Sequence, residues 1–182
     1  MSKHNGEMTG PASVDDLLAL LARGAGVHDE PDVDGLAHAL QCGANLRASY
    51  PADTELAVAG LVHDVADIVF PNDHGDHARR GAELIEPLLG ARVARLVGAH
   101  VDAKRYLVAT DPAYRARLSP RSIETLQLQG DALDASAIAS LASDSDLHAI
   151  LALRRADEST KDPTARPLAL DSWRPMLDQV AR

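Results

Sequence analysis

From Leu56 to Ile68 the sequence reads as a helix that is apolar on nearly every face, yet His63 and Asp64 stand side by side in its middle. A helix that is hydrophobic all round belongs inside a domain. Burying an imidazole beside a carboxylate there costs several kcal/mol unless something compensates the charge. A metal ion compensates it directly, since imidazole nitrogen and carboxylate oxygen are both good ligands. The pair therefore demands a central position and partner ligands from other parts of the chain.

The surrounding pattern is helical. Ser13 caps a first helix with Asp15 and Asp16 in its first turn, Leu17, Leu18, Leu20 and Leu21 on its apolar face, and Gly24 as its stop. A second runs from Asp34 to Ser49, with Leu36, Ala39, Leu40, Gly43 and Leu46 at helical spacing and His38 on the edge of that face. Pro51 ends it, and Asp53 caps the helix that holds His63 and Asp64. Gly43 points to close packing against a neighbour. After a loop from Phe70 to Gly75, Asp76 caps a helix from His77 to Glu86, broken near Pro87 and Gly90. The next helix passes through His100 to Tyr106. Ser119-Pro120 opens another, with Ser122, Thr125 and Leu126, and Gly130 closes it. Residues Asp131 to Ser143 are weakly patterned, a short helix at most. Asp144 to Asp157 and Asp171 to Arg182 are helical, the latter amphipathic through Trp173, Leu177 and Val180. No strand with sustained alternation is visible. The expected fold class is all-α, a single-domain bundle over residues 13–182 behind a flexible leader over residues 1–12.

Bulk properties narrow the function. A chain of 182 residues buries enough surface to need no disulfide, and its single cysteine, Cys42, has no partner within the chain. Cys42 reads as a small buried residue. With no signal peptide legible in the polar first dozen residues, the expected location is cytoplasmic. The net charge of −9, the lack of a basic stripe and the few aromatics exclude a nucleic-acid surface. No apolar run is long enough to span a bilayer.

Successive helices present His38, then His63-Asp64, then His77, then His100, and Asp157 follows at the end of a later helix. A lone histidine near an apolar face is more often a hydrogen-bonded core group than a ligand. Their order and spread over a helical bundle are what point to a metal centre. His74 competes with His77, while His4 and His148 read as surface residues.

The order H…HD…H…H…D resembles the HD-domain superfamily. The segments His38-Ala39-Leu40-Gln41-Cys42, His77 with Gly81-Ala82, His100-Val101 with Ala103-Lys104-Arg105-Tyr106-Leu107-Val108, Leu118-Ser119 with Ser122, Thr125-Leu126 and Gln129-Gly130, and Arg154 with Asp157-Glu158 are similar to one branch of it. That branch is the PhnZ-like mixed-valent diiron oxygenases, which cleave the C–P bond of 1-hydroxyphosphonates. The similarity spans roughly residues 34 to 180. It implies two iron ions (Fe2+/Fe3+), one held by His38, His63, Asp64 and Asp157 and the other by Asp64, His77 and His100. Asp64 would bridge, as a carboxylate with two oxygens can. It also implies that Lys104, Ser122, Thr125 and Arg154 hold the phosphonate, with Lys104 and Asp67 as catalytic side chains. Spacing agrees: Lys104 is one helical turn from His100, Arg154 is three residues before Asp157, and Ser122 and Thr125 share a face and would donate hydroxyls into one pocket.

Two departures stand out. The resembled enzymes carry H-D-x-x-H, and this chain has Asp67 in place of the second histidine. They also carry a tyrosine and a glutamate ahead of the first ligand, where this chain has His28 and Pro31. The expected partners are O2 and a small anionic substrate, a 1-hydroxyphosphonate of the 2-amino- or N-methylated-amino-1-hydroxyethyl type. The competing reading is an HD phosphohydrolase using manganese or zinc on a small phosphate ester, where the metal lowers the pKa of a bound water to about 7.

Overall fold

The computed structural model describes residues 9–30, 32–71 and 75–182. Helix α1 (Val14–Ala22) starts where Ser13 Oγ accepts the Asp16 amide at 3.1 Å, and it buries Leu17, Leu18 and Leu21. A two-stranded antiparallel ribbon follows, β1 (His28–Glu30) with β2 (Val33–Asp34). Asp34 Oδ1 accepts the Ala37 amide at 2.7 Å and so caps α2 (Gly35–Ser49). Asp53 caps α3 (Thr54–Val62) in the same way through the Leu56 amide at 3.0 Å. Then come α4 (Val65–Val69), the long α5 (His77–Thr110), α6 (Pro120–Leu128), α7 (Ala135–Ala142), α8 (Leu147–Ser159) and α9 (Arg174–Val180). Single 3-10 turns at Arg115–Arg117 and Leu170–Trp173 complete the order. The all-α class holds; the ribbon, too short to show alternation, is the one sheet among the described residues.

Helix α3 is the centre. Every residue from Leu56 to Val62 is buried, and α2, α5, α8 and α9 pack around it. Its contact with α2 is close because Gly43 and Gly60 face one another: a Cβ on Gly60 would lie 3.2 Å from the Gly43 backbone. The space at Gly43 is filled by the indole of Trp173, which is 1% exposed. Arg92 of α5 fastens the starts of two further helices. Its guanidinium donates to Asp53 at 2.8 Å, to Glu55 at 3.0 Å and to Asp146 at 3.3 Å.

Three expectations change. The helix expected to carry His63 and Asp64 does not run through: α3 stops at Val62 and α4 begins at Val65, with Asp64 at φ −102°, ψ 18°. Consecutive residues of an intact helix point about 100° apart, and the break frees both side chains to face one centre. The expected break at Pro87 and Gly90 is a kink at Gly90 alone (φ 81°, ψ 168°), with Pro87 inside the helix. The Leu88 carbonyl near the kink accepts the Arg182 amide at 3.0 Å. The weak pattern over 131–143 resolves as α7, capped by Asp134. None of the described helices is long and apolar enough to cross a membrane.

The α2–α3 contact gives a direct test. A Cβ on Gly43 would lie 2.6 Å from the buried Trp173 ring and 3.2 Å from the Ala57 carbonyl oxygen. Gly43→Val is therefore expected to overpack the contact and cost about 2 kcal/mol, lowering the melting temperature by roughly 4–8 °C, read by thermal denaturation.

Candidate metal centre

Four separate elements bring the expected ligands together. His38 comes from α2, His63 and Asp64 from the break after α3, His77 and His100 from either side of the α5 kink, and Asp157 from α8. His63, His77, His100 and Asp157 are buried, and His38 and Asp64 are partly so. Side-chain atoms of His38, His63 and Asp157 lie within 4.8 Å of one another, as do those of Asp64, His77 and His100. The Asp64 carboxylate stands between the two groups. Its Oδ2 is 3.1 Å from His63 Nε2 and 3.8 Å from His38 Nε2. Its Oδ1 is 3.7 Å from both His77 Nε2 and His100 Nε2. Asp157 Oδ1 closes the first group, 3.2 Å from His38 Nε2 and 3.7 Å from His63 Nε2.

Backbone carbonyls fix how the imidazoles present themselves. His38 Nδ1 donates to the Thr160 carbonyl at 3.1 Å, His63 Nδ1 to Gly60 at 2.9 Å and His100 Nδ1 to Val97 at 2.7 Å. A carbonyl can only accept, so each of these rings carries its proton on Nδ1 and turns Nε2 toward the centre, the arrangement found behind metal-ligating histidines. The Thr160 carbonyl is itself held in place: the side chain of Gln41 donates to the Asp162 carbonyl at 3.0 Å and accepts the Asp162 amide at 3.1 Å.

The electrostatics suit cations. Burial, with His77 beside it, pushes His100 down to about 3, so this imidazole is neutral. Its Nε2 lies 3.0 Å from that of His77, a spacing that one shared cation accounts for. Burial opposes a charge on Asp64, but His63 beside it outweighs that and holds the carboxyl well below its ordinary range. Asp157 is likewise opposed by burial and held well below that range, chiefly by Arg154. For His63, burial disfavours the charge and Asp64 overrides it, raising the pKa. His63 Nε2 is buried with no well-aligned hydrogen bond, Asp64 Oδ2 lying 3.1 Å away, a place that a metal ion shared by the two would satisfy. The residues thus fit a pair of cations in a nitrogen and oxygen shell. Burial raises the Cys42 thiol to about 12, which leaves it no thiolate character.

A cavity of about 120 Å³ opens beside these ligands, and Asp67, Lys104, Ser122, Thr125 and Arg154 all line it. Lys104 is 3% exposed; burial, and then Arg154, lower its pKa to about 8. Its ammonium donates to Thr125 Oγ1 at 3.0 Å. Arg154 is heavily engaged: Nε donates to the Tyr114 hydroxyl at 2.8 Å, Nη1 to Asp157 and Nη2 to Glu158. The Ser122 hydroxyl donates to Glu158 Oε2 at 2.7 Å rather than into the pocket. Lys161, Tyr114 and the bracing role of Glu158 were not singled out in the sequence. Lys161 lines the cavity from beyond the end of α8, where helical spacing from Asp157 gives no guide.

Leu21 of α1, Val33 of β2, Leu36 at the start of α2 and the half-exposed Val27 ahead of the ribbon line the same cavity with apolar side chains. His28 is exposed; Pro31, His74 and His4 lie outside the described residues. His148 is exposed and meets the Tyr50 ring edge-on at 5.6 Å.

The HD domain family model matches residues 16–158. The chain is 36% identical over 132 residues to the [1-hydroxy-2-(trimethylamino)ethyl]phosphonate dioxygenase (glycine-betaine-forming) of Leisingera caerulea, covering 68% of this chain and 67% of that protein. It is 31% identical over 147 residues to the hydroxymethylphosphonate dioxygenase of Gimesia maris, covering 76% and 72% respectively.

If Asp64 serves both groups, substitutions have unequal effects. His77→Ala should remove one bound ion and leave the other, whereas Asp64→Asn should weaken both, read by metal analysis of protein purified without chelators. Added ferrous iron should raise the melting temperature of the wild-type chain and leave that of Asp64→Asn almost unmoved.

Proposed function

The chain belongs to the HD domain family, and on that premise we propose that it is an iron- and O2-dependent dioxygenase that cleaves the C–P bond of a small 1-hydroxyphosphonate. The carrying observation is the division of the Asp64 carboxylate, Oδ2 toward His38 and His63 and Oδ1 toward His77 and His100, directly beside a cation-lined cavity. His38, His63, Asp64 and Asp157 would hold one iron, and Asp64, His77 and His100 the other. Bound there, the two irons supply the redox chemistry toward O2 and the Lewis acidity toward the substrate's oxygens.

The chain's own groups do the rest. Lys104 and Arg154 set positive charge in the wall where an anionic phosphonate is to be held, and Ser122 and Thr125 line the same surface. The apolar side chains of Leu21, Val33 and Leu36 in the cavity lining would limit water around the substrate. Asp67 adds a carboxylate to the cavity. This is the charge that an ammonium substituent needs, and it favours a 2-amino- or N-methylated-amino-1-hydroxyethylphosphonate over hydroxymethylphosphonate, which has no cation. The named substrates of the two relatives span that same choice. A reduced, buried Cys42 is in keeping with a cytoplasmic location.

Oxygen dependence decides the reaction class. Phosphate release from the hydroxyphosphonate should stop under anaerobic conditions; oxygen-independent hydrolysis of phosphate esters with manganese or zinc would instead establish a phosphohydrolase. Asp67→Asn should raise KM for the amine-bearing substrates and leave that for hydroxymethylphosphonate unchanged. The Lys104 ammonium is present below about pH 8 and lost above it, so KM for the phosphonate should climb above that pH. Lys104→Met should raise KM at every pH and remove the climb, both read from steady-state pH profiles.

A further inference from the structure

We propose that Lys161 is a substrate-binding residue: its ammonium pairs with that of Lys104 as a two-lysine clamp on the phosphonate, and the Ser122 and Thr125 hydroxyls act as acceptors that aim the two ammonium groups. The inference rests on the phosphonate reading of the cavity and changes which side chains carry the binding.

The argument begins from the protons. A hydroxyl has one hydrogen to give. That of Ser122 goes to Glu158 Oε2 at 2.7 Å, so the oxygen turns lone pairs to its other neighbours, Lys161 Nζ at 3.2 Å and Arg154 Nη2 at 3.4 Å. Thr125 Oγ1 receives the Lys104 ammonium at 3.0 Å and directs its own hydrogen back at the carbonyls of Arg121 (3.2 Å) and Ser122 (3.3 Å). Neither hydroxyl is placed to donate to an anion.

Next come the charges. Arg154 lies against two carboxylates, Asp157 and Glu158, which together outweigh its single positive charge. Arg121 also lines the cavity, and its Nη1 donates to Glu124 at 2.8 Å. The ammonium groups in the wall are those of Lys104, from the turn after His100, and Lys161, from the segment after α8. Lys161 is positioned as deliberately as Lys104. Its Nζ donates to Ser119 Oγ at 3.1 Å as well as to Ser122, and Glu158 Oε2 lies 3.7 Å away. An ammonium carries three donors, and both amines belong to side chains that line the cavity. A phosphonate, with three acceptor oxygens, suits two such groups better than one.

The test compares Lys161→Met, Lys161→Arg and Ser122→Ala with the wild type. Readouts are KM for the hydroxyphosphonate, the inhibition constant of inorganic phosphate, the melting temperature and the iron content. Lys161→Met should raise KM and weaken phosphate inhibition by about tenfold to a hundredfold, the worth of one charge-assisted hydrogen bond. Iron content and melting temperature should stay at wild-type values, and Lys161→Arg should recover most of the loss. Ser122→Ala should raise KM in the wild type and add little in the Lys161→Met background, because it acts through Lys161. A KM and phosphate inhibition within twofold of wild type in Lys161→Met would overturn the clamp. So would a full additional Ser122→Ala effect in that background. If the wild type turns over no 1-hydroxyphosphonate, the proposed reaction falls. Phosphate binding by the iron-loaded protein, measured by calorimetry, would then judge the clamp alone: a tenfold loss in Lys161→Met supports it and equal affinity overturns it.

Discussion

The carboxylate of Asp64 divides its two oxygens between two sets of histidines, and much of the architecture answers to that division. A side chain so placed has to leave the axis of its helix, and α3 ends to let it. The break falls where the helix is most deeply buried, a place where unpaired backbone groups are costly. Part of that demand is met by the Gly60 carbonyl, which accepts from His63 Nδ1. A carbonyl of the helix thus fixes the tautomer of the ligand that follows it. The interruption and the ligand orientation are one piece of local structure.

Charge is balanced in layers around this point. The inner layer is imidazole and carboxylate. Behind it Arg154 touches Asp157 and Glu158, and Glu158 takes the Ser122 hydroxyl and the Ser119 amide at the start of α6. Buried charges are tolerable only in such paired and hydrogen-bonded company. One effect is that Arg154, although it lines the cavity, has its guanidinium engaged by two carboxylates.

How far the sequence disclosed all this depends on the kind of information involved. The six candidate ligands were legible because His and Asp are anomalous in apolar helices, and the helices themselves because Ser13, Asp34, Asp53 and Ser119 announce their starts. The break between Val62 and Val65 was not, since Ala, Leu and Val favour helix and only the tertiary pull on His63 and Asp64 interrupts it. The direction of a hydroxyl proton, as at Ser122, depends on a residue 36 positions away. Lys161 escaped notice because it follows the last turn of α8, where periodicity stops predicting which side chains share a face. The ribbon of β1 and β2 is too short for alternation to register.

The three residues that follow α8 have a double duty. Thr160 gives its carbonyl to His38, Lys161 gives its ammonium to Ser119 and Ser122, and Asp162 is gripped on both sides by the amide of Gln41. A metal on His38 and an anion on Lys161 would therefore hang on one short strap. Whatever ordered that strap for one occupant would already have met the entropic cost of ordering it for the other. Such coupling would be reciprocal by thermodynamic necessity: an anion drawn to Lys161 would steady the histidine behind it, and a cation on His38 would ready the lysine for its anion.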